Sequence, residues 1–127
     1  MPGATYDTSA LLAAERNDRR MWAIHAELLA DRVVPTVPAP VLAQAWRGGS
    51  RQARLAQLLV MCVVEPMTEQ QARSIGVLAG VARHSEIIDV AVAEGAIRRA
   101  DVVVTSDAGE VGAIGAAVTA DIRIIPI

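Results

Sequence analysis

Short apolar runs alternate along this chain with longer segments in which apolar residues return every three or four positions. Residues 3–6 read as a strand leading into Asp7, and the Ala/Leu-rich stretch from Ser9 to Glu15 as a short helix. Asn17-Asp18 then caps a helix through Met21, Ile24, Leu28 and Leu29. Residues 33–37 form a strand candidate. Pro35 lacks the N–H that a ladder needs, which puts this strand at an edge or the proline at a strand end. Pro40 suits the first turn of a helix carrying Val41, Leu42, Ala45 and Trp46, which Gly48-Gly49 ends. Ser50 opens another helix, with Leu55, Leu58 and Leu59 on one side. Residues 61–64 are the next strand candidate. Thr68-Glu69-Gln70-Gln71 is a capping box for a helix through Ile75, Leu78 and Ala82, and Ser85 caps the one that follows, to about Arg99. Residues 102–104 read as a strand, 108–118 as a glycine-rich helix and 122–127 as a last strand.

Strands that alternate with helices in this way imply a parallel sheet covered on both faces. The expectation is one α/β domain over residues 1–127, a three-layer α/β/α sandwich with a central, mostly parallel sheet of four to five strands. Composition sharpens it. Of 127 residues, 53% are hydrophobic but only 2% aromatic, with no Phe, so the core must be built from Ala, Val, Ile and Leu. All 12 basic residues are arginines and the net charge is −2, which excludes a globally basic nucleic-acid binder; such binding would need a local Arg patch. Cys62 is the one cysteine, so no disulfide closes within the chain; a reducing cytoplasm and a buried, inert thiol are expected. No Lys/Arg-led apolar segment opens the chain, and no apolar run approaches the roughly 20 residues that span a membrane. The reading is a soluble protein without a signal peptide.

The candidate chemistry lies in three aspartates: Asp7 after the first strand, Asp89 within Ile87-Ile88-Asp89-Val90-Ala91, and Asp107 just after the fourth strand. Parallel strands joined by right-handed crossovers bring their carboxyl ends to one edge of the sheet, where ligands bind. Asp7 and Asp107 can therefore be neighbours although 100 residues separate them. Plainer roles exist for each. Asp7 before Thr8-Ser9 suits a helix N-cap, and Asp107 with Glu110 three residues on suits a capping box. Asp89 is harder to explain so, because Ser85 already caps its apolar helix, and burying an unpaired carboxylate costs several kcal/mol. An Arg partner would satisfy Asp89 alone. A divalent cation would satisfy all three.

These residues also carry a resemblance. Tyr6-Asp7-Thr8-Ser9-Ala10-Leu11-Leu12-Ala13 resembles the opening strand and first acidic residue of PIN-domain nucleases. Pro38-Ala39-Pro40-Val41-Leu42-Ala43-Gln44-Ala45-Trp46 resembles their second block, Ile88-Asp89-Val90-Ala91-Val92-Ala93 the third, and Val104-Thr105-Ser106-Asp107 the fourth. The blocks run nearly end to end, and the compact size is similar to the toxin subunit of VapBC-type toxin–antitoxin pairs. The resemblance implies a Mg²⁺- or Mn²⁺-dependent endoribonuclease, a homodimer held in check by a small antitoxin protein. Asp7, Asp89 and Asp107 would be its metal ligands and, with Gln44, its catalytic residues. Gln44 is the departure, since the family's second block normally carries a glutamate there. An amide keeps an oxygen acceptor but loses the charge, so a cation should be held more weakly, or activity reduced or lost. Glu86 or Glu110 would be the compensating acid, although both also read as ordinary surface acids.

In the mechanism so implied, water attacks an RNA phosphodiester, Gln44 orients a water, and the Thr105 hydroxyl supports Asp107. His84 reads as a helix-flanking surface residue, and His25 carries no signal. An acidic pocket repels RNA, so arginines must draw in its backbone: Arg47 and Arg51 first, then Arg54, Arg19-Arg20 and Arg98-Arg99. The rival in another class is a PIN-fold binding subunit without catalysis, which Gln44 favours. A Rossmann module is poorly matched, because Gly109, Gly112 and Gly115 give GxxGxxG, a spacing that instead lets a helix pack closely. A receiver domain needs a late lysine, and a DxD phosphatase is excluded by Asp7-Thr8-Ser9.

Overall fold

A computed structural model describes residues 3–127. Five strands, β1 (Ala4–Tyr6), β2 (Thr36–Pro38), β3 (Val63–Glu65), β4 (Val102–Thr105) and β5 (Ile124–Pro126), form one sheet in the order β3-β2-β1-β4-β5. Every pairing is parallel. Seven helices connect them: α1 (Thr8–Glu15), α2 (Arg19–Ala30), α3 (Ala39–Ala45), α4 (Ala53–Val60), α5 (Glu69–Ala82), α6 (Ile87–Arg99) and α7 (Ala108–Ala117). Helices α1 to α4 gather around α1, while α5, α6 and α7 pack against one another as the other layer. The chain builds outward from β1 to β3, crosses back through α5 and α6, and continues to β5 on the other side. Strand order therefore reverses between β1 and its neighbours β2 and β4, the position at which a crevice opens beyond the strands' carboxyl ends.

The expected three-layer α/β/α architecture is observed, with corrections in detail. Of the two places expected for the prolines of β2, the strand end is the one found: Pro35 falls just before the strand, Pro38 is its last residue, and β2 lies inside the sheet. Ser50 begins a single 3-10 turn (Ser50–Gln52) ahead of α4. The residue capping α6 is Glu86 rather than Ser85, and its side chain makes no capping bond. Of the spaced glycines only Gly115 serves close packing: a Cβ there would lie 2.8 Å from the Ala120 carbonyl, whereas Gly109 and Gly112 face open space.

The core is aliphatic, as composition demands, but its centre is Tyr6, fully buried among Leu11, Met21, Val41, Leu55, Leu58 and Val104. The Tyr6 hydroxyl lies 2.7 Å from His25 Nδ1, and Trp22 meets the His25 ring edge-on at 5.8 Å. His25, without signal in the sequence, thus satisfies the one phenol of the core. Burial holds the Tyr6 hydroxyl far above its ordinary value, with the Cys62 thiol adding to the shift, so Tyr6 keeps its proton. Cys62 is half-buried, not fully buried as expected, and burial still pushes its thiol up to about 12, so it stays protonated. Among the described residues no helix is long and apolar enough to cross a membrane.

Burial also holds His25 below its ordinary 6.5. The unfolded chain thus takes up this proton more readily than the folded one. The stability His25 contributes is complete above pH 6.5 and is lost as pH falls through the folded value. Urea midpoints should therefore fall below pH 6.5. Tyr6→Phe should cost about 1–3 kcal/mol at pH 8, because it leaves a buried ring nitrogen unpaired. A Tyr6→Phe variant as stable as the parent would contradict this account of the core.

Candidate functional site

Asp7 follows β1 directly and occupies the N-cap position of α1, so strand end and helix start share one side chain. Its carboxylate is 5% exposed and fully engaged. Oδ1 accepts the Ala10 N–H at 3.1 Å and the Ser9 hydroxyl at 2.5 Å, and the Thr105 hydroxyl donates to Oδ2. Thr105 ends β4, beside β1 in the sheet, and its own oxygen accepts the Asp107 N–H at 2.8 Å. Ser9 in turn accepts the Ser106 N–H at 2.9 Å. Two hydroxyls therefore lace the β1–α1 junction to the β4–α7 junction. Thr105 thus touches Asp107 at its backbone N–H, and its own hydroxyl proton goes to Asp7.

Asp107 is exposed and sits at the N-cap of α7, yet its side chain makes no capping bond. No capping box forms, which leaves that carboxylate available. Asp89 lies in the first turn of α6 and is about one-third exposed. Its partner is neither arginine nor deep burial but His84, whose Nε2 is 3.3 Å from Oδ2. Gln44, on α3, is exposed, and its Oε1 accepts the Thr8 hydroxyl at 2.5 Å.

Asp7, Gln44, Asp89 and Asp107 line a single recess of about 370 Å³ at the carboxyl edge of the sheet, with Thr8, Ser9, Leu12, Ile88 and Val92 completing its wall. No arginine lines it. Three carboxylates, an amide oxygen and two hydroxyls make an all-oxygen donor set of the hard kind that Mg²⁺ and Mn²⁺ prefer. Asp7 Oδ1 already accepts two donors, whereas Oδ2 accepts one and retains a second lone pair for a cation. The chemistry of the donors fits such an ion.

The outlying candidates fare differently. Glu86 is exposed and does not line the recess, and Glu110 in the first turn of α7 points to His84 at 3.6 Å. Arg47 folds its guanidinium onto the Ala43 and Trp46 carbonyls at 3.3 and 2.7 Å, capping the end of α3, and Arg51 and Arg54 are exposed. Arg20 donates to the Pro126 carbonyl at 2.9 Å, while Arg19 is exposed. Arg98 and Arg99 are engaged in ion pairs. Both bind Glu65, and Glu94 and Asp101 complete the network. Arg98 leads the bonds that hold the Glu65 carboxyl down to about 2. Sequence reasoning gave Thr8 and Ser9 no role of their own and read His84 as a surface residue, where the structure has it in contact with Asp89. Only the adjacency of Thr8 and Ser9 to Asp7 signalled them.

No protein-family model matches the sequence, and no curated protein matches it. Solved structures do match in fold. The chain superposes on VapBC2 from Rickettsia felis, crystallised bound to a DNA fragment from its promoter, with a TM-score of 0.74 and 16% identity over 98% of both chains. It also superposes on FitAB bound to an IR36 DNA fragment, with a TM-score of 0.68 and 16% identity over 97% of this chain and 94% of that one. The fold is PIN-like. Identity this low shows the fold alone.

Burial holds the Asp7 carboxyl above its ordinary 3.8, opposed by the bonds from Ser9, Thr105 and Ala10, with the charge of Asp107 raising it further. A raised folded value means that the folded chain keeps this proton longer than the unfolded one. The stability it contributes is complete below about pH 3.8 and is lost as pH rises through the folded value. Asp7→Asn keeps a competent cap and removes the titration. In chelator-treated protein, urea unfolding should show the variant gaining on the parent as pH rises from 4 to 7. A variant that loses stability relative to the parent over that range would contradict the assignment.

Proposed function

We propose that this chain is the toxin component of a VapBC-type toxin–antitoxin pair, a divalent-metal-dependent endoribonuclease. The observation that carries the reading is the convergence of Asp7, Asp89 and Asp107 on one recess at the switch point of a parallel sheet. Carboxylates that repel one another are seldom gathered without a cation to hold them. The likeness in fold to the VapBC2 and FitAB complexes and the four sequence blocks support the same reading.

Asp7, Asp89 and Asp107 would hold Mg²⁺ or Mn²⁺. A bound cation of this kind lowers the pKa of attacking water and neutralises charge that grows on the phosphoryl oxygens. The protein's part is orientation. Thr105 and Ser9 fix Asp7 in one rotamer, so its geometry does not depend on the ion. The Thr8 hydroxyl donates to the Gln44 oxygen and so orients the amide, whose N–H groups would serve as donors toward a water or a phosphate oxygen. Exposed Arg51 and Arg54, next to the α3 end where Arg47 lies, are the candidates to draw in the RNA backbone. A homodimer, a small antitoxin partner and a cytoplasmic setting belong to the same proposal.

One observation favours a second reading, a PIN-fold binding subunit with weak or no catalysis that acts through its antitoxin complex. The side chain facing the recess from α3 is the neutral Gln44, and its oxygen is already taken by Thr8. RNA cleavage by the purified protein separates the two. The nuclease reading expects cleavage in Mn²⁺ or Mg²⁺ that a chelator stops and that Asp7→Asn or Asp89→Asn lowers by two orders of magnitude or more, about 3 kcal/mol of barrier. Gln44→Glu should raise the rate and lower the metal concentration needed. A folded protein that cuts no RNA with either ion, before and after Gln44→Glu, would leave only the binding reading.

A further inference from the structure

Beside the recess, three elements deliver a second constellation. His84 comes from the turn between α5 and α6, Asp89 from the first turn of α6, and Glu110 from the first turn of α7. His84 Nε2 lies 3.3 Å from Asp89 Oδ2 and 3.6 Å from Glu110 Oε2. One ligand atom from each residue lies within 4.8 Å of the other two. Neighbouring ligands about 2.1 Å from a common first-row ion stand roughly 3.0–3.4 Å apart, whether its geometry is octahedral or tetrahedral. The two measured contacts match that spacing to within a few tenths of an ångström.

The imidazole is also held in place. Arg83 closes α5 in the left-handed region at φ 53°, and the His84 N–H bonds back to the Ala79 carbonyl at 3.1 Å. The His84 side chain is 16% exposed, so it is packed rather than free in solvent. A nitrogen fixed between two carboxylates loses little freedom when an ion arrives.

We propose that His84, Asp89 and Glu110 form a second cation site, next to the recess and joined to it through the shared Asp89 carboxylate, that selects Mn²⁺ over Mg²⁺. Asp89 has two oxygens and can serve both sites. The selectivity follows from the donor set. Mg²⁺ prefers oxygen ligands and keeps its waters, whereas imidazole is a good donor to Mn²⁺ and the later divalent ions. The proposal deepens the nuclease reading and rests on it in treating Asp89 as a cation ligand. An ion pair, with His84 as the only cation, is the competing explanation of the same contacts.

Calorimetric titration of the full-length protein with Mn²⁺ and with Mg²⁺ tests it, comparing the parent with His84→Ala and Glu110→Gln. The second variant changes an exposed side chain and should not disturb folding. The expected result is that each variant loses one equivalent of Mn²⁺, or binds it about tenfold more weakly, while Mg²⁺ titrations stay unchanged. Substoichiometric Mn²⁺ should broaden the His84 ring resonances more strongly in the parent than in Glu110→Gln. Parent-like Mn²⁺ binding in both variants, or equal broadening in the parent and Glu110→Gln, would overturn the proposal. Failure of the nuclease reading is separately visible. In that case no RNA is cut although the His84-dependent Mn²⁺ equivalent is present.

Discussion

Asp7 and Asp107 stand just beyond the ends of two strands that hydrogen-bond to each other, so the sheet itself forces two acids to the same place. Neighbouring strands run about 4.8 Å apart, a spacing that leaves like charges little room to separate. The fold accepts this repulsion because Asp7 is tied into both junctions. It starts α1, and it receives the hydroxyls of Ser9 and of Thr105 across the sheet. Asp7 is nevertheless held above its ordinary value. The bonds do not fully offset the loss of water, and a cation is the natural complement to what remains. A stabilising core around Tyr6 and a mildly unfavourable acidic edge are thus built from adjacent residues of one short strand.

The recess is finished by contributions that differ in rigidity. Asp7 is immobilised, Asp107 is uncommitted because its capping role is not used, and Asp89 leans on His84. Gln44 supplies shape and hydrogen bonds without charge. That combination suits an ion bound weakly and exchangeably, with one fixed ligand and others that adjust. It also explains why the amide is tolerable in the fold: Thr8 satisfies its oxygen in the way it would satisfy a carboxylate.

Much of this was legible in the chain. The alternation of strand and helix patterns gave the parallel three-layer sheet, and the carboxyl-edge rule brought Asp7 and Asp107 together from 100 residues apart. What stayed hidden was long-range polar pairing, which leaves no periodic trace. Tyr6 meets His25, Ser9 meets the Ser106 amide, and Arg98 and Arg99 meet Glu65, each pair joining separate elements. His84 reads as a surface residue in the sequence because the left-handed Arg83 breaks the chain's helical spacing between α5 and α6, so its contact with Asp89 follows no periodicity. For β2 the sequence left two places for its prolines, a sheet edge or a strand end, because prolines that flank a strand look the same in sequence as prolines on an edge. The structure has them at the strand's ends.

The central claim is that the three aspartates at the switch point form a cation cage. A crystal structure of the protein soaked in Mn²⁺, with anomalous difference density recorded near the manganese edge, tests it most directly. The account expects a peak in the recess within coordination distance, about 2.1–2.3 Å, of carboxylate oxygens from Asp7, Asp89 and Asp107. A clear manganese signal elsewhere in the crystal, with an ordered recess that holds only water, would contradict it.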